Sequence, residues 1–291
     1  MTVKSAASRS AAQISRSLPT CSESGPVSLT SSARINADAG TSLTLTGGLN
    51  ATNAQHSLFF GGSGAILVNN IGIGTNVLDL VKDGTGTATL SRASAHAGST
   101  LVSNGMLRLT RAGAMPAETA VRVSAGASFN HSGYNQTIGS LEGEGTVEFG
   151  SARLVTGGNG SNTVWSGTIN GTGGVDKRGA GIMDMAGANP YSGATTVSNG
   201  TLVVSGSAAY SAFAVRSGTL MGDGPIGALA IAATVDPGNA TGTVATLEAG
   251  AVTLQAGGTF VVDMSNVSGT AGAQWDLLNS YAGIASLASG T

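Results

Sequence analysis

The sequence predicts an all-β protein whose short strands wind into a right-handed parallel β-helix, a solenoid. Three observations lead there. Glycine supplies 46 of 291 residues and charged residues only 10%, against usual levels of about 7% and about 25%. The glycines recur at the interval of one solenoid coil. Between them lie short runs of alternating side chains rich in Val and Thr, the pattern of half-buried strands.

Two other readings of the glycine excess fail. Collagen requires glycine at every third residue, which the sequence lacks. Low-complexity disorder is excluded because 41% of the residues are hydrophobic. With aromatics at 4%, the core must be built from small and β-branched side chains, which suits narrow repetitive packing. A net charge of −2 gives no basic field for phosphate backbones, so nucleic acid is not an expected partner. Cys21 is the only cysteine, which excludes an intrachain disulfide and a cysteine metal site. No apolar run reaches the roughly 18 residues of a membrane-spanning helix.

Taken in chain order, residues 1–24 form the first segment. It carries Lys4, Arg9 and Arg16 ahead of its first acid, Glu23, and has no apolar signal-peptide core, so it reads as a leader-like or poorly ordered terminus. Residues 25–291 are expected to form the solenoid. Within it, 82–110 and 177–205 repeat at an offset of 95 without a gap. They share Lys82/Lys177, Gly84/Gly179, Gly86/Gly181, Ala93/Ala188, Gly98/Gly193, Thr100/Thr195, Val102 to Gly105 with Val197 to Gly200, and Leu107/Leu202. A shorter beat runs through both: Asn104-Gly105 leads to Leu107, Ala125-Gly126 to Phe129, Glu144-Gly145 to Val147, Asn199-Gly200 to Leu202 and Ser217-Gly218 to Leu220. The glycine spacings of 21, 19 and 18 are those of one coil. Strands are expected at 121–123, 146–149, 201–204 and 259–264, with Asn-Gly at corners supplying positive φ. For Ile226 to Val235 periodicity does not decide between helix and strand.

The run from Lys177 through Gly179, Gly181, Met185, Ala188, Asn189, Pro190, Tyr191, Ser192 and Gly193 to Val204 resembles the autotransporter-associated β-strand repeat, also called the passenger-associated transport repeat. The copy at 82–110 is a weaker match, with Arg92 and His96 where Gly187 and Tyr191 stand in the other. Segments at 133–147 and 236–243 are similar to passenger sequence flanking such repeats, and the resemblance covers about residues 40–280. It implies a secreted or surface-displayed passenger of a Gram-negative bacterium that meets host or bacterial cell-surface molecules. It also implies an outer-membrane translocator barrel outside this chain, which would then be a fragment of a longer passenger.

Sites of chemistry are weighed against this background, and none is assigned: no catalytic residue, no cofactor and no metal. Gly222 to Gly227 fits G-x-G-x-x-G, but Pro237-Gly238 leaves no room for the helix a dinucleotide site requires. Gly157 to Val164 resembles a calcium-binding nonapeptide with Asn162 in the Asp place, and reads as a solvated corner. His56, His96 and His131 lack ligand spacing and are expected on exposed turns or sheet faces. A polysaccharide-acting β-helix enzyme would need acids and bases converging on one face, whereas the aspartates are scattered. Glu142, Glu144 and Glu148 cluster, as a solvated face would. Trp165, Trp275, Tyr134 and Tyr191 are expected in core or corner packing. The most irregular stretch, 150–175, is the expected binding loop. The sequence therefore points to a non-enzymatic extracellular stalk or scaffold, with a self-assembling filament subunit as the alternative.

Overall fold

A computed structural model describes residues 12–16, 20–51, 56–69, 71–73, 78–266 and 268–287. Among them there is no helix, and every ladder between named strands is parallel. The chain is a parallel β-solenoid, divided into compact units at 1–152 and 153–291.

In the first unit one sheet runs through the strands Ala33–Ala37, His56–Gly62, Leu78–Lys82, Thr100–Val102, Ala120–Val123 and Ser140–Gly143, each paired with the next. A second runs through Ser42–Leu45, Ala65–Val68, Thr87–Leu90, Met106–Leu109, Ser128–Asn130 and Thr146–Glu148. The strands Val27–Leu29, Leu49–Ala51 and Ile71–Ile73 form a third, shorter sheet. The strands Ala12–Arg16 and Thr20–Glu23, inside the segment expected as a leader, pair with Ala33–Ala37 and Ser42–Leu45. Residues 1–11 and 17–19 lie outside the described residues.

Period-two sequence becomes like-on-like stacking. In Ala33–Ala37 alternate side chains are buried, so each inward residue meets an inward residue of the next coil. Leu43 pairs with Ile66, Ile66 with Ala88, Ala88 with Leu107 and Leu107 with Phe129. Each fully buried aliphatic or phenyl side chain contributes about 1.5–3 kcal/mol. The column therefore stabilises every coil it passes through, although no coil could bury its own face alone.

The second unit follows the same rule. Its sheets contain Thr163–Trp165, Ile182–Met185, Thr201–Val204, Thr219–Gly222, Thr234–Pro237 and Thr259–Phe260, and separately Leu154–Thr156, Val175–Lys177, Thr195–Val197, Phe213–Val215, Leu229–Ile231 and Val252–Leu254. Leu202 pairs with Leu220 and Leu220 with Val235, while Val197 pairs with Val215 and Val215 with Ile231. The undecided stretch 226–235 forms strands, because Leu229–Ile231 and Thr234–Pro237 each find a ladder on the preceding coil.

The glycine beat has a second cause beyond turn geometry. Gly200 has φ +64°, and a Cβ there would overlap the carbonyl oxygen of Gly179 on the coil before it. Gly218 stands in the same relation to Gly200, and Gly179 to Gly157. A parallel column links Gly167, Gly187, Gly206 and Gly224. Each glycine vacates the space into which its neighbour's backbone packs, so the corners stack as closely as the strands.

One side-chain contact in the first unit reaches past an adjacent coil. Arg34 pairs with Asp83, its Nη1 donating to Oδ1 at 2.9 Å, while its guanidinium lies 5.1 Å from the ring centroid of Phe59 on the strand between them. Gly61 leaves the room for that guanidinium.

Candidate functional site

The repeat itself is the first structural site. Lys82 and Lys177 end the strands Leu78–Lys82 and Val175–Lys177 and are 1% and 0% exposed. Lys177 Nζ donates to the carbonyls of Arg178 at 2.8 Å, Gly179 at 3.0 Å and Asn199 at 3.3 Å. Lys82 Nζ likewise donates to Gly84 O and, at 3.1 Å, to Asn104 O. The shared lysine therefore ties its own glycine corner to the shared Asn-Gly corner of the next coil. That corner is fixed again by Gly105 N–H and Gly200 N–H donating to Asn104 Oδ1 and Asn199 Oδ1, both at 2.8 Å. Burial pushes both lysine ammoniums down to about 8, against a weak opposing influence of Asp83 on Lys82.

The shared threonine explains the apparent mismatch between the copies. In the second, Tyr191 OH bonds Thr195 Oγ1 at 2.5 Å, Thr195 Oγ1 bonds Ser211 Oγ at 2.7 Å, and Ser211 Oγ donates to Gly193 O at 2.8 Å. In the first, His96 Nε2 bonds Thr100 Oγ1 at 2.8 Å and His96 Nδ1 bonds Ser94 Oγ at 2.9 Å. Histidine and tyrosine thus fill one role, a buried ring hydrogen-bonded to the threonine four residues on. Burial pushes the Tyr191 hydroxyl up to about 12 and the His96 imidazole down to about 4. With both ring nitrogens engaged and its charged form disfavoured, His96 is a structural group and not a base open to solvent.

The expectation that the histidines sit on exposed turns or sheet faces is corrected for His96 and His131, whereas His56 opens the strand His56–Gly62 and is half-buried. His96 and His131 are buried, at 1% and 0% exposure. His131 stacks edge-on against Phe129, centroids 4.8 Å apart, and neither of its ring nitrogens has a hydrogen-bond partner. Burial accordingly pushes it down to about 3. Trp165 and Tyr191 are core residues, whereas Tyr134 is exposed.

The stretch 150–175 is not an irregular loop. It contains Leu154–Thr156, Thr163–Trp165 and Thr168–Asn170 and buries Trp165 and Ile169 completely. Its glycines obscure the alternation because several coil corners fall close together. Asn162, in the nonapeptide-like segment, spends its side-chain oxygen on Ile182 N–H at 2.8 Å, bracing one coil to the next. The segment Gly222 to Gly227 holds a corner after the strand Thr219–Gly222, with Gly224 stacked on Gly206. Among the glutamates, Glu142 pairs with Arg122 at 3.6 Å and Glu148 accepts from Asn130 Nδ2 at 3.1 Å.

Sequence reasoning missed one cluster. Asp236, Asp263 and Asp276 each offer a carboxylate oxygen within 4.8 Å of the others. The strand Thr234–Pro237 pairs with Thr259–Phe260, Val261 N–H continues the contact to Val235 O at 2.8 Å, and Asp276 N–H donates to Asp263 O at 3.0 Å. Their unequal sequence spacing carries no periodic signal, because the connections between these strands differ in length.

The stacked coils, the cross-coil lysine and the glycine columns define a class, the β-solenoid repeat protein. The passenger-associated-transport-repeat family matches residues 80–109 and 175–204, the two copies just described, so the chain carries two such repeats and is similar to autotransporter passengers. It is 33% identical over 154 residues to the adhesin BmaC autotransporter of Brucella suis biovar 1, a match covering 50% of this chain and 4% of that protein. It is 41% identical over 82 residues to an extracellular serine protease of Serratia marcescens, covering 28% of this chain and 8% of that one. The matched regions are thus a small part of both relatives. No solved structure matches.

Proposed function

We propose that this chain is a non-enzymatic stalk, exported to the surface of a Gram-negative bacterium or beyond it, that holds adhesive surface away from the membrane. The observation that supports it most is the cross-coil bracing at the repeat: lysine, asparagine corner and glycine column each join one coil to the next, which serves stiffness and resistance to proteolysis. The resemblance to an adhesin autotransporter points the same way. A catalytic reading in the manner of the serine protease relative finds no support in His96 and His131, which are buried, and rests on the half-buried His56 alone among the histidines.

The test is display of the chain between a signal peptide and an outer-membrane barrel on a Gram-negative host. The stalk reading expects surface exposure, slow digestion by added protease, and cell attachment that falls when the chain is removed. Rapid digestion of the displayed chain, or attachment unchanged by its removal, would count against it. Release of reducing sugar from acidic polysaccharides by the purified chain would favour an enzyme instead.

A further inference from the structure

Asp236, Asp263 and Asp276 are not equally provided for. Asp276 accepts Ala245 N–H at Oδ1 and Asp263 N–H at Oδ2, both at 2.8 Å, and Asp263 Oδ2 accepts Gly242 N–H at 2.7 Å. Asp236 is 5% exposed, and its Oδ1 is fully buried without a hydrogen-bond partner. Among the described residues no Lys or Arg makes an ion pair with any of the three. Three carboxylates drawn together, one with a buried unpartnered oxygen, are electrostatically unfavourable unless a cation joins them.

We infer that Asp236, Asp263 and Asp276 form a binding site for a divalent cation of the calcium class. The donor set is all oxygen and anionic, which suits a hard cation. Calcium bonds oxygen at about 2.3–2.6 Å, so ligands on opposite sides of one ion stand about 5 Å apart, and three oxygens within 4.8 Å of one another fit that span. Magnesium, at about 2.0–2.1 Å with strict octahedral geometry, fits a narrower set and holds its waters more tightly. Bound there, the ion would join the strand Thr234–Pro237 to the segments carrying Asp263 and Asp276, tying the final coils of the second unit together.

The test uses the full chain, stripped with a chelator. Titration with calcium chloride by calorimetry is expected to show one saturable site, with Kd on the order of 10⁻⁴–10⁻³ M as in extracellular modules. The melting temperature should climb with calcium above Kd, and not with sodium chloride at matched ionic strength. Asp236→Asn should weaken calcium binding at least roughly tenfold, since it removes a charged ligand. Without calcium the same variant should melt at or above the wild type, because it relieves the repulsion. Asp263→Asn should repeat the loss of binding. A wild-type chain that takes up no calcium overturns the site whatever the variants do, and so does an Asp236→Asn chain that titrates like the wild type.

Discussion

Lys177→Met removes the ammonium from the repeat corner and keeps the aliphatic stem. The wild-type Nζ reaches three carbonyls at 2.8, 3.0 and 3.3 Å, and a hydrogen bond from a charged donor is worth about 1.5–3 kcal/mol. Against this stands the cost of burying the charge. Its pKa falls from 10.5 to about 8, equivalent to at most about 3 kcal/mol. The hydrogen bonds win, so the variant should lose about 1–3 kcal/mol at pH 7. The pH dependence has a distinct sign. Between pH 8 and pH 10.5 the unfolded chain holds this proton and the folded chain releases it, so wild-type stability from this group rises with pH across that window. Methionine has no such contribution, and Lys82 is present in both proteins. The gap between wild type and variant should therefore widen by about 1–2 kcal/mol from pH 8 to pH 10. Urea unfolding followed by Trp165, which is fully buried and pairs in register with Met185, reports on the neighbouring coils when Trp275 is replaced by Phe in both proteins. A gap that stays constant or narrows with pH would refute the account of the lysine as a buried, charge-stressed brace.

The other predictions concern the corners and the buried rings. Gly200→Ala should cost more than about 3 kcal/mol, because it combines positive φ with overlap of the preceding coil's carbonyl. Gly160→Ala, at φ +73° with nothing within 4 Å of a new Cβ, should cost only about 1–2 kcal/mol, and equal losses in thermal melts would remove the stacking explanation. Tyr191→Phe and Thr195→Val should each cost about 1 kcal/mol and the pair less than their sum, with full additivity contradicting the shared hydroxyl chain. His131→Leu removes two buried, unpartnered nitrogens and should stabilise by about 1–2 kcal/mol at neutral pH. Because the folded His131 titrates near 3 instead of 6.5, wild-type stability falls as pH drops through that window, so the variant's advantage should grow towards pH 4 in urea melts.

Much of the architecture was legible because a solenoid is written in local signals. Alternation in Ala33–Ala37 or Thr201–Val204 names the inward face, and glycine spacing marks the corner, without any knowledge of distant residues. Legibility failed where the cause is not local. Residues 150–175 read as a loop because their strands are three residues long and separated by glycine and asparagine, and only pairing with the next coil makes them strands. His96 and His131 read as surface groups because histidine composition says nothing of the stack that encloses it. The equivalence of His96 and Tyr191 was visible as an alignment position, but their common partner became apparent only with Thr100 and Thr195 placed beside them. The aspartate cluster left no trace in spacing, since connections of different length bring its members together.

The contact between Arg34 and Asp83 has a consequence for how the first unit comes apart. A solenoid joined only between adjacent coils can fray one coil at a time, each loss leaving the next edge intact. An ion pair that skips the coil carrying Phe59, and rests on that ring as it passes, links the fates of three coils. Loss of the strand Leu78–Lys82 would also strip Arg34 of its carboxylate two coils away. Pulling experiments on this unit should therefore release the stretch from Ala33 to Asp83 in one step, and Asp83→Asn should break that step into smaller ones.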